Sequence, residues 1–396
     1  MKNGYLQAYS ALAESARTEV AIIGGGISGA LLAWHLAGRG IDVMLLDRRH
    51  IGMASTSAST ALLQYDIDRT LSELIELIGE RAAVRAYQMS LAALDDLERN
   101  AKQLSLDAEI KKVPSVRFAA LKKDVGDLEK EYTVRKKYGF DVEFWDNTDV
   151  AKRFLHQAPA ALYTQPSLTA DPYRLTHGFM ADAVKRGARV YDKTEVKRVE
   201  HLSRSVKLHT PAGIVTAKKA VIACGYESVN FIPFKLVSLS SSFAIVGEPI
   251  AAQGDIWYED CTFWNTADPY IYGRTTSDRR VVFGGGDEPF FNPRRRDALL
   301  QKKTAMLERK FTQMFPDVPF RTDYSWAGTF IETPDGLPFI GTIKQLPHTY
   351  FALGYGGNGI TFSELAARLL ADLLTGKTNK DADIFSFDRK TGRKGR

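Results

Sequence analysis

The 396-residue sequence predicts a two-domain α/β protein, with one domain assembled from separated stretches of chain and a second, β-sheet-rich α+β domain. Three observations carry this. A strand, glycine turn, helix and strand open the chain; a second strand–glycine-turn–helix unit closes it; and a β-rich middle lies between. The expected parts are a lead-in over 1–17, a discontinuous domain over 18–66, 165–230 and 325–376, a second domain over 67–164 and 231–324, and a basic tail over 377–396.

Each element has its own signal. Residues 1–17 read as a polar lead-in, and 18–47 as strand, turn, helix and strand. A loop rich in Ser, Thr and Ala spans 48–66. From 70 to 104, apolar residues recur at three- and four-residue spacing (Leu71, Leu74, Ile75, Ile78, then Leu91, Leu94, Leu97), which predicts helix. Residues 108–121 suggest a strand pair turning at Pro114, and 122–138 a charged helix closed by Gly139. Asp171-Pro172 starts a helix that runs to Gly187. Short strands follow at 188–191, 195–201, 206–210, 214–217 and 219–223. Residues 236–285 are β-rich, 297–315 helical, and 348–374 strand, glycine turn and helix. No repeat of solenoid period is present.

An apolar fraction of 44% and a charged fraction of 25% exclude a disordered or fibrous chain. The net charge is +6, but Lys and Arg are scattered. The small clusters at Arg294-Arg295-Arg296 and from Arg389 to Arg396 read as solvated surface and a frayed terminus, so no nucleic-acid partner is expected. Two cysteines, Cys224 and Cys261, suit a reducing compartment, and a cytoplasmic location is expected. No signal-peptide core opens the chain. Residues 20–38 have membrane-span length but hold Gly24, Gly25, Gly26, Gly29 and His35, so no transmembrane segment is expected. The seven histidines show no metal-ligand spacing.

The most informative stretch is Glu19-Val20-Ala21-Ile22-Ile23-Gly24-Gly25-Gly26-Ile27-Ser28-Gly29-Ala30. It is a GxGxxG turn between an apolar strand and a helix. Gly24 permits the turn, Gly26 lets backbone approach a pyrophosphate, and Gly29 lets helix and strand pack closely. The helix N-terminus offers free N–H groups and a positive dipole end to phosphate. A second strand, 42–46, ends at Asp47, placed to accept from the ribose of an adenosine. This is a Rossmann-type dinucleotide unit.

Three features favour FAD over a nicotinamide cofactor. The loop Gly52–Leu63 is small, hydroxyl-rich and suited to wrapping a pyrophosphate. The strand Ala220–Gly225 ends in a small-residue turn. The closing glycine turn aims a helix N-terminus where reduction of a flavin creates negative charge. These segments, with Gly284-Gly285-Gly286-Asp287-Glu288-Pro289-Phe290, the stretch 332–341 and Ala352–Ile360, resemble in order those of the D-amino-acid oxidase / glycine oxidase / sarcosine oxidase superfamily of FAD-dependent oxidoreductases. The resemblance spans about residues 18–376. It implies a discontinuous FAD domain and a substrate stacked on one flavin face. It also implies that Gly24, Gly26, Gly29, Asp47 and Arg48 hold the adenosine diphosphate half, and that Ser55, Thr56, Ser59, Thr60 and Leu62 line the loop over the pyrophosphate and flavin. Val196 would contact the adenine. Gly225, Gly356, Gly357, Asn358, Gly359, Ile360 and Thr361 would approach the flavin.

The sequence also departs from that pattern. No Cys stands just upstream of Thr333-Pro334-Asp335 and no His lies in 51–65, so FAD is expected to bind noncovalently. Phe330 stands where related amino-acid oxidases often place a carboxylate-binding Arg, and Thr361 replaces the Lys of some sarcosine oxidases. Arg274, on the strand holding Tyr270 and Tyr272, is the expected substitute clamp. Tyr270 and Tyr272 alternate with Ile271, so both can face one side of the sheet, and one or both are expected to border the substrate. Gln64, Tyr65 and Trp326 are further pocket candidates; Asp335-Gly336 reads as a turn, and His35 as structural.

The expected reaction is two-electron oxidation of a C–N bond in a small amine or amino acid to an imine, which water hydrolyses. Oxygen, or a quinone or carrier protein, would be the final acceptor. Oxidation of a C–O bond in a hydroxy acid, a nicotinamide-dependent dehydrogenase, and a flavin-binding subunit needing a partner remain open alternatives.

Overall fold

The computed structural model describes residues 6–154, 157–251 and 254–391. The opening unit is β1 (Ala16–Ile23), α1 (Ile27–Ala37) and β2 (Val43–Leu46). Alternation along both strands sends Val20, Ile22, Val43 and Leu45 into the core that holds α1. Ala21, Ile23, Met44 and Leu46 enter a separate core on the opposite face. Burial on both faces is why these strands read as unbroken apolar runs.

The chain continues through β3 (Leu62–Gln64), α2 (Leu71–Ile78), α3 (Glu80–Ala101), β4 (Lys111–Phe118), α4 (Val125–Lys137), β5 (Asp141–Asp146), α5 (Asn147–Arg153) and β6 (Ala160–Thr169). Several expectations change here. The Ser/Thr stretch is not all loop, because its end forms β3 and pairs with β6. The helical pattern from 70 divides at Gly79, whose φ of +90° ends α2. Pro114 makes no turn; it sits at a register shift within one continuous strand, β4. Strands β5 and β6 had no clear sequence signal, whereas α4 lies where the charged helix was expected.

Next come α6 (Pro172–Lys185), β7 (Arg189–Tyr191), β8 (Arg198–His201), β9 (Val206–Thr210) and β10 (Gly213–Ile222). Asp171 caps α6, accepting from the N–H groups of Tyr173 at 3.0 Å and Arg174 at 2.9 Å. The remaining elements are β11 (Ser238–Gly247), β12 (Thr262–Asn265), β13 (Ile271–Thr275), β14 (Val281–Glu288), α7 (Pro293–Met314), β15 (Thr322–Glu332), β16 (Phe339–Thr342), β17 (Thr349–Leu353) and α8 (Gly359–Leu374).

Two sheets result. The first runs β16-β17-β10-β1-β2-β7, with β9 and β8 added beside β10. Its central pairs β17–β10, β10–β1, β1–β2 and β2–β7 are parallel. The second runs β15-β11-β14-β13-β12-β4-β6-β3, with β5 on β6. It is mostly antiparallel, and its own core lies against α7. β3 and the 325–332 part of β15 lie in segments expected in the dinucleotide domain, yet both hydrogen-bond into this second sheet.

The described residues are tied down near both of their ends. Leu12 of the lead-in is buried, and its N–H donates to Thr194 Oγ1 at 2.9 Å. In the basic tail, Arg389 is not frayed surface. Its guanidinium forks onto fully buried Asp335 at 2.8 and 2.9 Å, donates to the Leu337 and Pro338 carbonyls, and lies over the Phe339 ring. Asp335 is thus an anchor as well as a turn residue. Residues 392–396 lie outside the described residues. No described helix is long and apolar enough to cross a membrane.

Candidate active site

Two adjoining cavities lie along the C-terminal ends of β1, β2, β10 and β17. One is lined by Gly24, Gly26, Asp47, Arg48, Thr56 and Val196. The other reaches the second sheet. Ser55, Ser59, Gly225, Gly359 and Ile360 line both, so the two form one continuous channel.

The first cavity is built from the glycine turn. At Gly29, an added Cβ would lie 1.9 Å from the Gly24 carbonyl oxygen. Gly24 has φ +115°, and a Cβ there would lie 2.4 Å from the Ala223 carbonyl oxygen. Only glycines allow α1, β1 and β10 to meet this closely. Gly29 itself packs inside the turn and lines neither cavity. Asp47 ends β2 and accepts from the N–H groups of Gly25 and Arg49, each at 2.6 Å. Burial pushes its carboxyl above the ordinary range, and those two N–H groups oppose the push. Thr56 reaches back from the Ser/Thr loop and accepts the Ile27 N–H at 3.1 Å, capping α1 from outside.

The second cavity is walled by one face of the second sheet. Register places Arg117, Trp264, Tyr272, Gly284, Ala244 and Trp326 side by side on consecutive strands β4, β12, β13, β14, β11 and β15. Gly284 has no side chain because the Tyr272 ring crosses it; a Cβ there would lie 2.5 Å from that ring. Tyr270 and Tyr272 lie 5.8 Å apart, and Tyr270 meets Trp264 edge-on at 6.2 Å. The Trp326 Nε1–H donates to the Ala58 carbonyl at 2.9 Å, tying the Ser/Thr loop to the sheet. Gly356, Gly357 and Asn358 form the opposite wall.

Tyr270, Tyr272, Trp326, Gln64, Thr60 and Leu62 all line this cavity. Three expectations need correction. Arg274 does not reach the cavity. It is 7% exposed, and its nitrogens donate to the carbonyls of Thr60, Thr275 and Ala170. Burial lowers its pKa to about 10. It braces the loop and has no fork free for a substrate carboxylate. Thr361, in the first turn of α8, is buried, donates to the Gln64 carbonyl at 3.2 Å and lines neither cavity. Tyr65 is fully buried and stacked on Phe140, so it belongs to the core. His35 contacts Glu364 at 3.0 Å and is structural.

Other wall residues gave no sequence signal. Asp68, beyond the Ser/Thr loop, accepts the Gly357 N–H at 3.0 Å. It is exposed to the cavity, yet protein surrounds it, and burial raises its pKa. Trp264 and Ser242 enter only through strand register.

The residues present fit a flavin dinucleotide. A glycine cradle that no side chain could share meets a helix N-terminus and a terminal acid, and the channel continues from there to an aromatic wall. Comparison with known proteins agrees. Residues 19–373 match the family model DAO, FAD dependent oxidoreductase. The chain belongs to this family and is an FAD-dependent oxidoreductase. Among curated relatives, it is 26% identical to the gamma-glutamylputrescine oxidoreductase of Escherichia coli (strain K12), covering 94% of this chain and 87% of that protein. It is also 26% identical to the glycine oxidase of Geobacillus kaustophilus (strain HTA426), covering 96% and 99%. The crystal structure of glycine oxidase from Geobacillus kaustophilus superposes with a TM-score of 0.80 at 22% identity, covering 94% of this chain and 99% of that one.

Proposed function

We propose that this protein oxidises a C–N bond of a small amine or amino acid, using noncovalently held FAD. The observation that carries the reading is the single channel joining the dinucleotide cradle to the aromatic wall of the second sheet. The relatives' printed activities, on gamma-glutamylputrescine and on glycine, support C–N oxidation over C–O oxidation. Noncovalent binding is supported by Cys224, the cysteine that lines the channel. Its thiol donates to the Ile23 carbonyl at 3.1 Å, and burial pushes its pKa up, so no thiolate stands ready to attach.

Bound FAD would supply the two-electron acceptor for the hydride leaving the carbon beside the substrate nitrogen. The chain supplies placement. Asp47, Arg48, Val196 and the glycine turn would hold the adenosine diphosphate half; Ser55, Ser59, Thr60, Leu62, Gly225 and the turn 356–360 would hold the rest. Tyr270, Tyr272 and Trp326 would orient the substrate and keep water from the reacting carbon.

A visible spectrum of the purified protein tests this, recorded anaerobically before and after adding amines and amino acids. An oxidised-flavin spectrum that bleaches with one of them is expected. Bleaching by hydroxy acids alone, or no flavin signal even after FAD is supplied, would overturn the reading.

Arg274 provides a separate test. Arg274→Lys keeps the charge but cannot bridge three carbonyls. It is expected to reduce FAD retention on dialysis, as the Thr60 loop loosens, at a cost of about 1–3 kcal/mol. Substrate KM should stay unchanged; a large rise in KM with full flavin occupancy would restore Arg274 as a substrate clamp.

A further inference from the structure

One strand beyond the aromatic wall stands a guanidinium with unmade hydrogen bonds. Arg117 of β4 pairs with Trp264 in the β4–β12 register and lies over its ring at 4.3 Å. The side chain is half-buried, and its Nε and Nη1 are enclosed with no hydrogen-bond partner. Nη2 is not enclosed in this way. Burial lowers the Arg117 pKa, and the like charge of Arg135 adds to the push. Asp66 and Glu131 favour the charge through space, but both are paired with Arg135. Enclosed guanidinium N–H groups are costly to leave unbonded, and such groups ordinarily find an acceptor.

A second, independent donor faces the cavity at the same place. Trp264 lines the cavity and is 6% exposed, and its Nε1–H has no partner. An indole has only this one polar group, and it can only donate. Arg117 is flanked by cavity-lining side chains on its other side too. Ser115 lies two residues before it, on the same face of β4, and donates to Gln64 at 3.2 Å; Gln64 lines the cavity. Across Tyr270 stands an acid. A Cβ at Gly357 would lie 2.9 Å from Asp68 Oδ1 and 3.2 Å from the Tyr270 hydroxyl, and the Tyr270 ring meets Trp264 edge-on. Arg117 and Arg69 both favour the ionised form of Asp68, whose oxygen accepts the Gly357 N–H. One end of the cavity therefore offers two unused donors, one of them cationic, near a carboxylate.

We propose that Arg117 and the Trp264 N–H form a carboxylate subsite, so that the substrate is an amino acid rather than a simple amine. A guanidinium edge matches the two oxygens of a carboxylate, and the indole N–H adds a third donor. Asp68 suits the positively charged nitrogen with which the same molecule arrives. The subsite also accounts for the two clamps that fail. Phe330 has no donor, and Arg274 is spent on backbone carbonyls; Arg117 supplies the charge from β4, on the far side of Trp264. The proposal rests on the amine-oxidation reading and narrows it.

The test uses the FAD-loaded protein and two readouts. Calorimetry with acetate and propionate measures carboxylate binding without turnover. Anaerobic flavin reduction gives kcat/KM for α-amino acids, ω-amino acids and n-alkylamines of matched length. Both carboxylates are expected to bind, and one of the two amino-acid series to exceed the alkylamines about tenfold or more. Preference for the α series puts the subsite beside the reacting carbon, and preference for the ω series puts it at the far end. Trp264→Phe keeps the ring under Arg117 and removes the donor, so carboxylate Kd and amino-acid KM should each rise about tenfold. Arg117→Gln should raise them further, and Arg117→Lys should recover part of the loss. Trp264→Phe is decisive if Arg117→Gln loses flavin. Equal use of alkylamines and amino acids, no binding of either carboxylate, or a Kd untouched by Trp264→Phe at full flavin content would overturn the proposal. If no amine reduces the flavin, yet the carboxylates bind and Trp264→Phe weakens them, the subsite stands and the amine-oxidation reading falls.

Discussion

Gly29→Ala is expected to strip the protein of FAD. A single methyl group is added, yet it would lie 1.9 Å from the Gly24 carbonyl oxygen, 3.1 Å from the Gly24 carbonyl carbon and 3.2 Å from Leu45 Cδ1. The two nearest atoms are backbone and cannot rotate away. Gly24 has little room to yield, because it sits at φ +115° with the Ala223 carbonyl, just past β10, where a Cβ would stand. Relief must come from lifting the start of α1 off β1. That moves the Gly26 turn, which would cradle the pyrophosphate, and breaks the Thr56 cap on Ile27. Overpacking of this kind costs about 1–3 kcal/mol or more. Where the cost falls on the loaded state, FAD affinity drops about tenfold to hundredfold. Titration of the apoprotein with FAD, followed by fluorescence, measures it. Gly126→Ala is the control: it lies at the start of α4 with nothing within 4 Å of the added carbon, so binding should not change. Wild-type affinity in Gly29→Ala would mean the turn is not the cradle assigned to it.

The glycine turn was legible because its signals are local. Strand, turn, helix and terminal acid fall within thirty or so residues, and each is tied to a backbone requirement that few side chains meet. The closing turn at 354–359 was legible for the same reason. The aromatic wall was half legible. Tyr270 and Tyr272 declare a shared face by alternation, but Trp264 joins them only through the β12–β13 register, which the sequence does not display. Asp68 and Arg117 come from distant segments, and nothing in either segment signals the other. Arg274 misled for a physical reason. An Arg on the right strand suggests a clamp, but Arg274 follows Tyr272 by two and is spent on three backbone carbonyls at the far end of the strand. The charged helix α4 misled most quietly. Glu131 and Arg135 stand four apart, the spacing of an ordinary solvated pair, yet both are almost fully buried.

That buried pair should dominate the stability of the substrate-facing half. Arg135 Nε donates to Glu131 at 2.6 Å, and its Nη1 contacts Asp66. Glu131 in turn accepts the N–H groups of Leu71 at 2.8 Å and Ser72 at 2.9 Å, which begin α2. The Asp66 carbonyl accepts from Asn358 Nδ2 in the closing turn. One guanidinium therefore ties α4 to the segment 66–72, which carries Asp68 to the cavity wall. Burial alone would lower the Arg135 pKa, but Asp66 and Glu131 overcome it and hold the guanidinium charged, well above its ordinary value. Arg135→Met keeps much of the volume and removes the charge, leaving two buried carboxylates with the Arg117 charge alone to offset them. Breaking one buried pair costs about 3–5 kcal/mol, and two stranded acids place this variant at the upper end, about 5 kcal/mol. Urea unfolding at neutral pH should show it as a large fall in midpoint. Because the stranded acids can be relieved by protonation, the deficit relative to the parent should shrink as the pH is lowered. A deficit that is small at neutral pH, or that grows on acidification, would mean that Arg135 is not what neutralises these acids. The same variant should also loosen flavin reduction kinetics through Asp68, a readout that lost packing remote from the cavity would leave alone.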